Sequence, residues 1–271
     1  MKRKILSFVA FFGLASMANA QMYVSPGSYV FMNNQYMYVT QDVNIQGTGN
    51  FYLRNTSQLL QGGTGAGANA GAGDLSVFQE GTVNNFQYNY WCSPVGAPLA
   101  AAGNNPFGIT RLYRPTGLTA STAATILPTS NYNGTSNPLA IAPYWIWKFI
   151  TSSTYAQWVS VGSASTINVG EGFTMKGTSG TDNTIAQVAE NVQNNTGSRQ
   201  RYDFRGKPND GTISVAVSNG NFTLVGNPYP SAVDLNMYLR ANAPGPDLLW
   251  GTADDVGLNN TSIDGTAYFW E

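Results

Sequence analysis

Short runs in which apolar and polar residues alternate, broken at close intervals by Gly, Asn and Ser, constrain this chain more than any other feature. Val43 and Ile45 alternate with Asp42, Asn44 and Gln46, and Phe51 and Leu53 alternate with Asn50, Tyr52 and Arg54. Successive side chains of a strand point to opposite faces, so each run has one apolar face and favours a sheet over a helix. Turn residues fall at Asn33-Asn34, Gly47-Thr48-Gly49 and Asn55-Thr56-Ser57. Residues 21–61 therefore read as a β segment of short strands, either a meander or a few rungs of a β-solenoid; spacing alone fits both.

Gly62 to Gly73 has no apolar side chain larger than Ala, so it cannot build a core of its own and is expected to be a flexible linker at a domain boundary. Alternation returns at Val83–Trp91, Tyr144–Ile150, Tyr155–Val161, Thr166–Met175, Thr212–Val217 and Asn221–Val225. Gly170-Glu171-Gly172 and Ser218-Asn219-Gly220 resemble hairpin connections, and short connections imply antiparallel pairing. Ala232 to Leu239 is the best helical stretch, with Ser231 as its expected cap. The fold class is all-β: the short-strand segment, then an antiparallel β-sandwich over 74–271. The chain stops within the aromatic, strand-like Thr266–Glu271 and is expected to be a piece of a longer protein.

The first twenty residues divide into a basic start (Lys2, Arg3, Lys4), an apolar run from Ile5 to Leu14 and the small-residue site Ala18-Asn19-Ala20. That is the pattern of a cleavable export signal, with Gln21 as the first mature residue. The apolar run is about half the roughly 20 residues that cross a bilayer as a helix. The single cysteine, Cys92, lies far from the cut, so neither a lipid anchor there nor an internal disulfide is expected. Cys92 reads as a buried, inert thiol.

Charged residues make up 10% of the chain where about 25% is usual, and without the three leader cations the balance is about −4. No basic patch for phosphates is visible, so nucleic acid is a poor partner. The chain contains no histidine, which removes Ser-His-Asp and Cys-His catalysis and His-based zinc sites. Glu80, Glu171 and Asp234 are the least obviously solvated acids, but no spacing joins any two of them, and a non-enzymatic role follows.

Two groups stand out as candidate sites. Trp145 and Trp147, with Tyr155 and Trp158 on the next expected strand, form a possible sugar-stacking platform, with core packing as the plainer role. Asp247, Asp254, Asp255 and Asp264 offer the oxygens a calcium ion takes, with an exposed acidic turn as the plainer role. No other cofactor is expected.

Four phrases carry a resemblance: Tyr90-Trp91-Cys92-Ser93-Pro94-Val95-Gly96, Gly170 to Gly177, Tyr202 to Gly211, and Leu224 to Ala232. Together they resemble large secreted surface proteins of the Bacteroidetes, especially flavobacteria, exported by type IX secretion. The resemblance implies an extracellular or cell-surface location, export machinery as a partner, and a sorting domain that this sequence does not contain. It supplies no catalytic residues. In residue terms, Gly226-Asn227-Pro228-Tyr229-Pro230 should be a rigid corner, and Arg205 and Lys207 beside Asp203 and Asp210 a local ion-pair loop. The expected function is an adhesive, structural or glycan-binding module facing glycans or neighbouring surface proteins; its rival is the accessory region of a secreted hydrolase.

Overall fold

The computed structural model describes residues 21–162, 167–187 and 191–240. The chain begins as a coil of parallel strands. β1 (Met22–Val24), β2 (Tyr29–Asn33) and β3 (Tyr36–Val39) make one turn; β4 (Val43–Ile45), β5 (Asn50–Arg54) and β6 (Gln58–Gln61) make the next. Met22 pairs with Val43, Tyr29 with Asn50 and Tyr36 with Gln58, so each strand lies on a partner 21 or 22 positions further on. This is solenoid geometry, and it decides between the two readings of the segment. Alternation then turns Val24, Met32, Val39, Val43, Ile45, Phe51, Leu53 and Leu59 into a buried stack. Corners repeat as well: Asn34 and Asn55 both take positive φ (55° and 52°), and the Asn55 side chain donates to Asn33 Oδ1 at 2.6 Å. Asparagine tolerates that left-handed geometry better than most residues.

The Gly/Ala-rich stretch does not swing free as a linker. Asn69 is fully buried: its Oδ1 accepts from the Val43 N–H at 2.7 Å, and its Nδ2 donates to Gln61 Oε1 and Pro208 O. Ala70 bridges Asn44 in parallel, as a third turn of the coil would, and Asp210 accepts from the Ala68 and Asn69 N–H groups. Small residues are used here because backbones touch, not because the segment is loose. A Cβ added at Gly71, where φ is +96°, would lie 2.0 Å from Ile45 O.

The coil continues into β7 (Asp74–Gly81), which pairs in parallel with β5 and antiparallel with the last strand of the sheet. After β7 come β8 (Tyr88–Trp91), β9 (Val95–Gly96), β10 (Leu112–Pro115) and β11 (Ser121–Ala123). β12 (Thr125–Ile126), β13 (Gly134–Ser136) and β14 (Leu139–Ile141) share a small sheet with β18 (Thr178–Ser179), reached after β15 (Trp147–Lys148), β16 (Val159–Ser160) and β17 (Phe173–Lys176). β19 (Asp182–Ile185) and β20 (Gln193–Asn195) pair with each other, and β21 (Gln200–Pro208) runs through the centre. The main sheet is ordered β11-β10-β21-β7-β5-β2, with β9 also on β21. One face packs on the sheet β16-β15-β17-β8: Trp91 meets Tyr202 and Phe204 at 5.5 Å each, and Phe107 lies between Phe204 at 5.5 Å and Phe173 at 6.2 Å. The expected sandwich is this pair of faces.

β21 overturns the expected ion-pair loop. Tyr202 and Phe204 point into the apolar core, while Arg201, Asp203 and Arg205 occupy the other face and find their partners across the sheet. Ser76 and Ser121 donate to Asp203 at 2.6 Å each, Arg201 pairs with Glu80, and Arg205 lies 3.6 Å from Asp74. Arg54 is buried on that face, its Cζ 3.5 Å above the Phe78 ring, donating to the Leu118 and Ser76 carbonyls. Burial lowers the Arg54 pKa to about 10 and pushes the Asp203 carboxyl up, against the pull of their opposite charges.

Other expectations shift at turns. Tyr144 and Trp145 sit in a 3-10 turn (Pro143–Trp145), Tyr155 starts another (Tyr155–Gln157), and only Trp147–Lys148 and Val159–Ser160 pair as strands. The Val83–Trp91 strand starts only at Tyr88. Gly170–Gly172 is not a hairpin: Ile167 bridges Phe107, whereas Phe173 pairs with Trp91 and Lys148. Residues 212–217 and 221–225 form no strands, contributing only the Phe222 and Val225 bridges to Ser152 and Glu171. The helix α1 (Leu235–Arg240) is capped by Asp234, whose carboxylate accepts from the Met237 N–H at 3.0 Å, while the Ser231 carbonyl is taken by Asn227.

Candidate functional site

The aromatic residues singled out by sequence do not form one platform. Trp145 makes ring contacts with Tyr144 at 4.7 Å, Tyr88 at 6.1 Å and Tyr132 at 6.2 Å, and its Nε1 donates to Tyr132 O at 2.7 Å. Lys176 Nζ lies 5.0 Å from the Trp145 ring. Trp147 is on β15, Trp158 packs on Phe149 at 4.9 Å, and Tyr155 projects from its turn 88% exposed. The cause is the 3-10 turn at Pro143, which breaks the alternation that would have put Trp145 and Trp147 on one face.

The four distinctive phrases come together instead. Asn209 Nδ2 donates to Ser93 O at 3.1 Å and to Pro228 O at 3.0 Å, and Gly226 N–H donates to Gly170 O at 3.3 Å. The proline corner docks on the coil: Leu59 N–H donates to Pro230 O at 2.9 Å, and Ala232 N–H to Gln58 Oε1. Tyr229 Oη donates to Gly211 O at 2.6 Å, fixing the corner from behind. Contact is close enough that a Cβ at Gly226 would lie 2.5 Å from the Cys92 Cβ.

Between the corner, the coil's Asn55–Gln58 turn and strands β7 and β8 lies a groove of about 480 Å³. Phe78, Tyr90, Trp91 and Tyr229 give it aromatic surface, and Asn55, Gln58, Gln79 and Asn227 give it amides. None of the described residues that line it is charged. Its volume lies within the roughly 300–1,000 Å³ of small-molecule sites. Sequence reasoning singled out these phrases but not the groove, because residues 55, 78, 90 and 229 meet only through the fold. A hint was present in their mixture of Gly, Pro and aromatics, which marks fixed turns carrying large rings.

Groups with chemical potential are engaged elsewhere. Cys92 is half-buried and desolvation pushes its thiol up to about 12, which leaves it protonated and unreactive. Burial opposes ionisation of Asp182 and Glu171, but hydrogen bonds outweigh it: Arg114 binds Asp182 bidentately at 2.7 and 2.8 Å, and Lys148 meets Glu171 at 2.6 Å. Both carboxyls end below their ordinary values. Glu80 joins Arg199 and Arg201, and Asp234 caps its helix. Among the described residues no three His, Cys, Asp or Glu side chains cluster as a metal site. Asp247, Asp254, Asp255 and Asp264 lie outside the described residues, as does the leader. No helix among the described residues is long and apolar enough to cross a membrane.

Fold and groove together define an all-β module in which a parallel coil runs into a sandwich. A family model described as "Domain of unknown function (DUF8693)" matches residues 13–271, and the chain belongs to that family. No curated protein and no solved structure matches it.

Proposed function

We propose that this chain is an exported, non-catalytic module of a surface protein that holds an uncharged ligand in its groove and leaves it chemically unchanged. The observation that carries the reading is the separation of charge from the groove: the buried carboxylates and guanidiniums find their partners inside the fold, and the groove is lined by uncharged side chains. General acid–base or nucleophilic chemistry needs a group of tuned pKa within reach of the ligand. The lining offers the Cys92 thiol, which is held protonated, the Tyr229 phenol, which donates to Gly211 O, the Tyr90 phenol, and the hydroxyls of Thr56, Ser57 and Ser231, with no carboxylate, imidazole or amine among the lining residues to activate them.

Export is supported by the leader pattern of residues 1–20, and a type IX surface protein by the resemblance of the four phrases. Two of the phrases, Tyr90–Gly96 and Leu224–Ala232, line the groove, and the other two pack against them from outside it, which is consistent with a recognition role there. The test has two parts. N-terminal sequencing of the protein produced in its native host should start at Gln21, and ligands incubated with it should be recovered intact by mass spectrometry. Intact Met1 on protein inside the cell would contradict export; cleaved ligand would contradict the non-catalytic role and favour the hydrolase reading.

A further inference from the structure

We propose that the open end of the coil joins two copies of this chain, β2 of one pairing antiparallel with β2 of the other across a two-fold axis at Phe31. None of the described residues that line the groove lies in β1, β2 or β3, so this joint stands apart from the groove.

Each strand of the first coil turn has a partner on one side only. β1 pairs with β4, β2 with β5 and β3 with β6, and among the described residues no strand pairs along their other edges. The bonds at the strand ends show which backbone groups are left over. Ser28 O accepts from the Asn50 N–H, and the Asn34 N–H donates to Arg54 O. Alternate residues of a strand turn their N–H and C=O to the same side, so Val30 and Met32 bond to β5 while Tyr29, Phe31 and Asn33 turn theirs outward. By the same count Tyr23 is left over on β1, and Tyr36 and Tyr38 on β3. These residues also carry exposed rings: Tyr23, Tyr29, Tyr36 and Tyr38 are 61 to 68% exposed and Phe31 38%. The usual guards of a strand edge are missing, since residues 21–41 include no charged side chain and β1, β2 and β3 no proline. An aromatic surface beside a row of unmet N–H and C=O groups is a template for another strand.

Shape and charge select the occupant. A coil turn is matched by another turn with strands of the same lengths at the same corners, and the end of a second copy has these by identity. Turning that copy over about an axis perpendicular to both β2 and the coil reverses the sense of its path, so that strands stacked on each other run antiparallel. With the axis at Phe31, Phe31 faces its own counterpart and Tyr29 of each copy faces Asn33 of the other. The three residues with outward groups on each β2 then meet as hydrogen-bonded pairs, and the two Phe31 rings become cross-strand neighbours, a favoured pairing. Neither copy brings a charged side chain to the joint, so nothing repels, whereas an unrelated strand finds no charge there to steer or select it. A two-fold joint uses the same surface on both partners and closes at two copies.

The full chain, as its host produces it, is followed by light scattering and by amide hydrogen exchange over a dilution series. A doubled mass should form. In it the Tyr29, Phe31 and Asn33 N–H groups should exchange about tenfold or more slowly than in the diluted single chain, while Val30 and Met32, bonded to β5, stay protected throughout. Phe31→Lys and Phe31→Glu each set like charges against each other at the axis and should weaken association by about tenfold or more; mixed one to one, the two variants should associate again. Tyr155→Lys, at a position 88% exposed in the turn Tyr155–Gln157, is the control and should associate as the parent does. If either Phe31 variant does not fold, the exchange pattern of the parent decides. A single-copy mass at every concentration, a pair indifferent to both Phe31 variants, or assemblies that grow past two copies would overturn the proposal. So would a Phe31 amide that exchanges alike at all dilutions, or one that slows only when another protein is added.

Discussion

On β2 and β3 and on β21 the same two-residue alternation produces opposite surfaces. Outward positions of the first coil turn, Tyr29, Tyr36 and Tyr38, are 64 to 68% exposed, and the inward ones fill the coil with Met32 and Val39. On β21 the inward positions are again apolar, Tyr202 and Phe204, but the opposite face, with Arg201 and Asp203, is just as deeply buried. The difference lies in what covers each face. Residues 115–121 and the β19–β20 hairpin lie over the β21 side: Leu118 O accepts from Arg54, Val192 O from Arg201 and Pro115 O from Asn194. Alternation states which residues share a face; the rest of the chain decides whether that face meets water. A covered polar face needs its groups paired, and here neighbouring strands satisfy most of them, with Arg205 Nε and Asn194 Oδ1 left without a hydrogen bond.

The largest test of that contrast is Asp203→Ala. It strips the acceptor from Ser76 and Ser121 and leaves Arg54 without its buried counter-charge, so urea unfolding should show a loss of about 3–5 kcal/mol. A loss below about 1 kcal/mol would mean that the face is wetter than described.

Gly71→Ala follows, at about 3 kcal/mol, because a side chain there meets Ile45 O and an unfavourable φ at once. Were residues 62–73 a free linker, the substitution would be silent in the same assay.

Asp182→Asn sharpens the comparison through pH. The native carboxyl holds its proton less tightly than the unfolded chain does, so its contribution is present above the ordinary value of 3.8 and drains away as pH falls through the depressed native one. The variant should be about 1.5–3 kcal/mol less stable at neutral pH, with the gap closing in acid. Asp203 has the opposite sign: its raised pKa favours the fold in acid, and that contribution fades as pH rises through the native value. Stability-versus-pH curves of Asp182→Asn and Asp203→Asn should therefore depart from the parent in opposite senses. The smallest effect belongs to the exposed coil face, where Tyr36→Thr should stay within about 0.5 kcal/mol of the parent.

The all-β class and the coil were legible because Val43, Ile45, Phe51 and Leu53 face a core and Asn34 and Asn55 mark its corners. β21 was not, since Arg201, Asp203, Arg205 and Lys207 resemble a solvated loop until β7 and its acids are set beside them. The continuous strand expected through Trp145 and Trp147 is interrupted by one local event, the 3-10 turn at Pro143. The groove was beyond reach for a different reason. Its lining comes from four stretches of chain, residues 55–58, 77–79, 90–94 and 224–232, which meet only once the sheets have formed.

The most direct single measurement is amide hydrogen exchange across residues 62–73. The account predicts that the N–H groups of Asn69, Ala70 and Gly71, bonded to Asp210, Val43 O and Ala100 O, are protected like those of β4; exchange of all three at the rate of an unfolded chain would contradict it.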